Sequence, residues 1–333
     1  MLRELAAVAG DEIVVTNGTY ATVGHAVGRV ANRVAVDKAL HVRSVNGPQF
    51  TTIAGGGSRC VYLTNGASLF GFTLTNGLAG GGGFSDPSGG GGGAYGGTLS
   101  NCTLTGNGAE GVGGGACNST LNKCTLTGNR TGVFGGGAAL CMLNNCTLTG
   151  NSAGPGSGGG AYGGTLNNCI VYFNTATNGA NFSLSEFVAV LNYCCTTPQP
   201  SNGVGNITNA PLFVDLAGGD LRLQSNSPCI NAGLNALAPG GSELDGNPRI
   251  VGGSVDIGAY EYQSLSLISS GVVSNQFGFN VTGQSNWVIV VEASSDFTNW
   301  TPLTTHTLGG SPFSFRDPTP PVLPQRFYRL RSP

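Results

Sequence analysis

The side chains able to do chemistry are few, and they are unevenly placed. Between Cys60 and Pro200 the Asp, Glu, Lys, Arg and His residues number five: Asp86, Glu110, Lys123, Arg130 and Glu186. They fall at unrelated places in a repeating background. Cleavage of an acidic polysaccharide needs clustered carboxylates, a Ca²⁺ site, or an Arg or Lys base on one face, and these five do not build one. The densest charged group lies further on, at Asp215, Asp220, Arg222, Glu243, Asp245, Arg249, Asp256 and Glu261. Its plainer reading is a salt-bridged closure of a folded end. Its sharper reading is a Ca²⁺ or sugar site using Asp245, Asp256 and Glu261 with turn carbonyls, although no ligand spacing supports it. His25, His41 and His306 are too scattered to suggest a triad, and nothing resembles a nucleophile elbow.

The remaining reactive groups are thiols and hydroxyls, and a repeat positions them. Three segments align almost without gaps: Gly91 to Asn107, Gly113 to Asn129 and Gly135 to Asn151, each ending in Cys-Thr-Leu-Thr-Gly-Asn. A fourth runs from Gly158 to Asn174, and a weaker copy precedes them, with Phe72 in the cysteine position. Cys102, Cys124, Cys146 and Cys169 are 22, 22 and 23 residues apart, a period that suits one coil of a parallel β-helix. Strand alternation sends the cysteine and leucine of each copy inward and both threonines outward.

Stacking then turns the repeat into columns. A thiol ladder forms at the four cysteines, with aliphatic ladders at Leu104, Leu126, Leu148 and Val171 and at Leu99, Leu121, Leu143 and Leu166. Asn107, Asn129, Asn151 and Asn174 recur at the following turn, where amides can hydrogen-bond from rung to rung. The thiols read first as small buried hydrophobes; rung-to-rung disulfides are conceivable, and metal binding is disfavoured because these rungs lack histidine. Adjacent Cys194 and Cys195 cannot both face one core. The outward pairs Thr73/Thr75, Thr103/Thr105, Thr125/Thr127 and Thr147/Thr149 predict two hydroxyl columns about 7 Å apart with a repeat of about 4.8 Å. A regular lattice of that kind could match ice or a crystalline polysaccharide, though Thr-Leu-Thr is also simply good strand sequence.

Composition removes other classes. The 333-residue chain is long enough for a large core or two domains, carries 58 glycines, and has a formal net charge of −2 with 9% charged residues. That balance argues against nucleic acid or anionic lipid as a partner. No apolar run approaches the ~20 residues needed to span a bilayer. The Gly-Gly-Gly-Ala segments suit tight corners rather than a phosphate cradle, since no Lys-Ser or Lys-Thr follows them. Short strands separated by turns fill the first sixty residues, Leu2 to Val8 can form a capping helix, and Asp86-Pro87 reads as a loop inserted into one coil.

Three stretches resemble a family of bacterial exported β-helix proteins with polymorphic-outer-membrane-protein-like repeats and a choice-of-anchor segment. They are Gly10 to Tyr20, the rung motif, and Gly219 to Gly233 with Leu244 to Ile250 and Val255 to Tyr262. The resemblance implies export to the cell surface or medium, with either a signal removed before the numbering begins or a truncated gene start, and implies no established catalytic activity. After Tyr262 there is neither a hydrophobic tail nor a sorting motif. From about residue 264 the repeat gives way to alternating strands at Phe277–Val281, Trp287–Val291, Phe313–Phe315 and Phe327–Arg329. These resemble a small immunoglobulin or fibronectin-III-like module.

The expectation is an all-β chain: a right-handed parallel β-helix of about 22-residue rungs over 1–263 and a β-sandwich over 264–333. Its expected role is that of an extracellular, non-enzymatic scaffold that binds polysaccharide or matrix. The alternatives are a self-assembling fibre of its own copies, a polysaccharide lyase or glycoside hydrolase, and a lattice-binding protein using the threonine face. No cofactor is expected beyond a possible Ca²⁺.

Overall fold

The computed structural model describes residues 7–331 except 23, 29, 81–88, 185–186, 274–275, 284–286, 310 and 319–324. Most of the expected capping helix and the Asp86-Pro87 loop therefore lie outside the described residues, as does Glu186. The repeat winds into a parallel β-solenoid of about seven turns. One eight-stranded sheet runs from Glu12–Val15 through Thr98–Ser100 to Val190–Asn192. After a corner, a second runs from Gly18–Tyr20 through Thr103–Thr105 to Cys195–Thr196. A five-stranded and a seven-stranded sheet complete the circuit, the latter edged by the antiparallel strand His25–Val27.

In-register pairing makes the columns. Leu99 lies opposite Leu69 and Leu121, and Leu104 opposite Leu74 and Leu126, all fully buried. Truncating such a leucine to alanine removes contacts on two neighbouring rungs at once and costs about 2–5 kcal/mol. The thiol column is equally dry: Cys102, Cys124, Cys146 and Cys169 are buried and free, headed by Phe72. Cys194 extends it, because Cys169 N donates to Cys194 Sγ at 3.4 Å. Cys195 points the other way, into a separate apolar cluster, so the adjacent pair serves two cores.

The asparagine column is a hydrogen-bond chain. Asn107 Nδ2 and N both donate to Asn129 Oδ1 at 3.0 Å, Asn129 repeats this with Asn151, and Asn151 with Asn174. Each Nδ2 also donates to a leucine carbonyl of an earlier rung, as Asn129 does to Leu104 O at 2.9 Å. A buried amide without these partners would cost on the order of 1–3 kcal/mol per group.

Two kinds of corner let the chain turn. Gly113 and Gly135 hold φ of 65° and 69°, and a side chain on Gly92 would stand 1.9 Å from Gly108 O, which explains the glycine runs. The corner before each ladder cysteine is built differently. Asn101, Lys123, Asn145 and Asn168 occupy the left-handed region with φ of 51°, 54°, 50° and 50°, a conformation asparagine tolerates better than most residues. Their side chains point out of the solenoid.

Beyond residue 264 come two three-stranded antiparallel sheets. Ser266–Val273, Gln276–Thr282 and Phe313–Arg316 form one; Thr301–Thr307, Val288–Ser294 and Phe327–Arg331 form the other. Phe279, Val281, Ile289, Val291, Leu308 and Phe315 fill the space between them. Ser266–Val273 and Thr301–Thr307 were not legible as strands: the first exposes almost all its described side chains, and the second carries a proline.

Candidate functional site

The segment from about 209 to 262 does not simply cap the end of the solenoid. It runs back along the side, over the corner column and part of the threonine sheet. Asn101 Nδ2 donates to Glu243 O at 3.0 Å, Lys123 Nζ to Gly240 O at 2.7 Å and Asn145 Nδ2 to Asp256 O at 3.1 Å. Asn168 both donates to Leu234 O at 3.0 Å and accepts from Leu234 N at 2.8 Å. Polar side chains that left-handed corners turn outward thus become four anchor points. Ile170, Cys195, Phe213, Leu221, Leu223, Cys229 and Ile257 close the apolar part of the contact.

This placement covers part of the threonine sheet. The two columns exist, with Thr103 opposite Thr73 and Thr125, and Thr105 opposite Thr75 and Thr127. Thr125 Oγ1 donates to Thr103 Oγ1 at 3.2 Å, and Thr127 Oγ1 to Thr105 Oγ1 at 3.1 Å. Thr73, Thr75, Thr103, Thr105 and Thr127 are half-buried, whereas Thr125, Thr147 and Thr149 are buried. Thr147 Oγ1 accepts from Ala259 N at 3.0 Å.

What remains is a groove of about 480 Å³. Its floor is Thr73, Thr103, Thr125, Thr127 and Thr149 with Gly128 and Gly150; its wall is Leu216, Leu221, Leu244, Asp245 and Tyr260; Pro48 and Gln49 close one end. Among the described residues neither Thr149 Oγ1 nor the Tyr260 hydroxyl has a hydrogen-bond partner. Arg222 Nε donates to Asp245 Oδ2 at 2.7 Å and Nη1 to Asp220 Oδ1 at 3.1 Å. The guanidinium lies 5.5 Å from the Tyr260 ring centroid, so the wall's cation is already paired. Burial, then the neighbouring Asp245, pushes the Tyr260 phenol up, which keeps it a neutral donor.

Asp245, Asp256 and Glu261 are not brought together as a ligand set. Asp245 takes the arginine just described. Asp256 accepts from Asn231 N and Tyr262 N, and Glu261 from Val251 N and Asp256 N. The oxygens of Asp256 and Glu261 are turned onto backbone amides inside the segment. Among the described residues no group of three Asp, Glu, His or Cys side chains is placed to hold a metal ion. Glu243 likewise accepts from Asp245 N and Asn247 N. Burial raises all three interior carboxyls, Glu243 to about 7, Asp256 to about 6 and Glu261 to about 8. Arg249 sits 3.9 Å from Glu261 and donates to Asp256 O and Gly258 O.

Of the threonines singled out in the sequence, Thr73, Thr103, Thr125, Thr127 and Thr149 line the groove and Thr75, Thr105 and Thr147 do not; of the charged candidates, Asp245 does. Leu216, Leu221, Leu244 and Tyr260 belong to no periodic pattern, and they reach the threonines only because the chain folds back. The one available signal was the run of polar residues before each ladder cysteine. Among the described residues no helix is long and apolar enough to cross a membrane. No family model matches the chain, and no curated protein matches it.

Proposed function

We propose that the protein is an exported, non-enzymatic β-helix scaffold that binds a neutral polysaccharide lengthwise in the threonine groove. The supporting observation is the groove itself: stacked hydroxyls along the floor, an apolar and aromatic wall, and, among the described residues, a single lining carboxylate that already holds an arginine. Rungs about 4.8 Å apart present hydroxyls at close to the length of one sugar unit, so an extended glycan meets the same donors and acceptors at each step. Its apolar ring faces suit Leu216, Leu221 and Tyr260. An acidic glycan would find no unpaired cation in this lining, because Arg222 is the nearby cation and faces Asp220 and Asp245.

Hydrolysis by two carboxylates is poorly served here, since Asp245 is the one acidic residue of the lining among the described residues. A crystalline surface needs an open plane, and the 209–262 segment stands over part of it. The likeness to exported proteins with polymorphic-outer-membrane-protein-like repeats, a choice-of-anchor segment and an immunoglobulin-like module supports a surface or extracellular location. Binding of the full chain to insoluble neutral glycans, alongside pectate and alginate, tests the reading. Retention on a neutral glycan that is lost in T103V/T127V with unchanged melting temperature supports it. Absence of retention on every neutral glycan, or equal retention of the variant, overturns it.

A further inference from the structure

The column Thr73, Thr103, Thr125 and Thr147 is stopped at both ends by main-chain groups standing on its outward face. At one end Thr73 Oγ1 donates to Pro48 O at 2.7 Å. At the other, three strands further on, Thr147 Oγ1 accepts from Ala259 N at 3.0 Å. Between the stops Thr125 Oγ1 donates to Thr103 Oγ1. Past Thr147 the next outward side chain is Ile170, fully buried against the 209–262 segment. On that same rung the Tyr172 hydroxyl donates to Thr208 O at 3.1 Å. The groove therefore does not run on along the solenoid. From the Thr73 rung to the Thr147 rung, at about 4.8 Å a step, its floor measures about 14 Å.

We infer that the groove seats the end of a neutral glycan chain, about three sugar units of it, rather than an internal stretch; this rests on the glycan reading of the groove. An internal stretch laid lengthwise has to leave past both stops, over Pro48 and Gln49 and over the chain at Gly258 and Ala259. A chain end needs a single exit. Tyr260 is the residue placed to recognise that end. It follows Ala259 directly in the chain, so it stands at the Thr147 end of the groove, whose lining it joins. Among the described residues its hydroxyl has no hydrogen-bond partner, and neither has Thr149 Oγ1 on the Thr147 strand. A terminal sugar carries a free hydroxyl where an internal sugar carries a glycosidic oxygen, which has no proton to give. An unpaired polar group beside a covered ligand gains most from a partner that both donates and accepts, so this end of the groove favours the terminal hydroxyl.

The test titrates the full chain with cello-, manno-, xylo- and laminari-oligosaccharides of two to eight units and measures its retention on the corresponding insoluble polymers. In the series that binds, affinity per mole of chain should climb to three or four units and then stay level to eight, because each chain offers one end whatever its length. Limited hydrolysis of the polymer, which multiplies ends, should raise the amount of protein retained. Tyr260→Phe should weaken the tetrasaccharide about fivefold with unchanged melting temperature. Affinity per chain that keeps rising with length to eight units shows internal binding. That result overturns the inference and leaves the groove reading standing, as does retention on a polymer indifferent to hydrolysis or unaccompanied by binding of any oligosaccharide. Absence of binding to oligosaccharides and polymers alike overturns the groove reading and the inference with it.

Discussion

Asn168 and Leu234 are joined by two hydrogen bonds in opposite directions, Asn168 Nδ2 to Leu234 O at 3.0 Å and Leu234 N to Asn168 Oδ1 at 2.8 Å. The corner amide thus behaves as a strand edge for a segment 66 residues away, and Gly258 N adds a bond to Asn168 O. Replacing Asn168 by Ala should destabilise the docked segment by about 2–4 kcal/mol, since two backbone groups lose partners. Asn168→Gly keeps the left-handed corner without strain but loses the same bonds. Urea unfolding should therefore rank parent above Gly above Ala, and limited proteolysis should cut first within 209–262. Equal stability of parent and Ala variant would remove the anchor role.

Stability should fall as pH rises through neutrality. Glu243, Asp256 and Glu261 are raised by burial to about 7, 6 and 8, from ordinary values of 4.5, 3.8 and 4.5. Asp245 lies beside Glu243 and adds to its shift, Asp256 does the same to Glu261, and Arg249 opposes the shifts of Asp256 and Glu261. A carboxyl that binds its proton more tightly when folded stabilises fully below its unfolded pKa, and that contribution is lost as pH climbs through the folded value. The melting temperature should drop by on the order of 5 °C between pH 5 and 8.5. Glu261→Gln, which stays neutral, should flatten that slope. A melting temperature that rises across this range would refute the assignment.

The ladder thiols should be inert in the folded chain. Burial raises Cys102, Cys124, Cys146 and Cys169 well above the ordinary thiol value, and it lifts Cys60 and Cys117 to about 12. Iodoacetamide at pH 8 should leave the ladder unmodified in buffer and label it once denaturant is added. Rapid labelling of Cys124 under native conditions would show that the column opens.

Glycan affinity should follow the threonines that line the groove rather than those outside it. Thr103 and Thr127 line the groove, whereas Thr105 does not. Thr127→Val should weaken binding to a neutral glycan about tenfold, roughly 1.4 kcal/mol, and Thr105→Val should have little effect. Equal losses at the two positions would move binding out of the groove.

Legibility followed repetition. Where a residue type recurs at one period, stacking makes its neighbour another copy of itself, and so the cysteine, leucine and asparagine columns could be read before any coordinates. Cys194 escaped because its rung reads Asn-Tyr-Cys-Cys and breaks the pattern. The strand Ser266–Val273 escaped because its described side chains are not buried in alternation.

The threonine face shows the same division most clearly. Its two columns, their spacing and their outward direction follow from Cys-Thr-Leu-Thr and the pleat of a strand, which are local properties that the sequence alone determined. Whether that face is a plane or a groove depends on where the non-repetitive residues from 209 to 262 come to rest. Four outward corner side chains and one apolar cluster decide it, through contacts between residues as far apart as Asn101 and Glu243. Such long-range pairings leave no period in a sequence, so only the tertiary structure could place Tyr260, Asp245 and Leu221 above the threonines and bring Cys195 and Cys229 into one buried cluster.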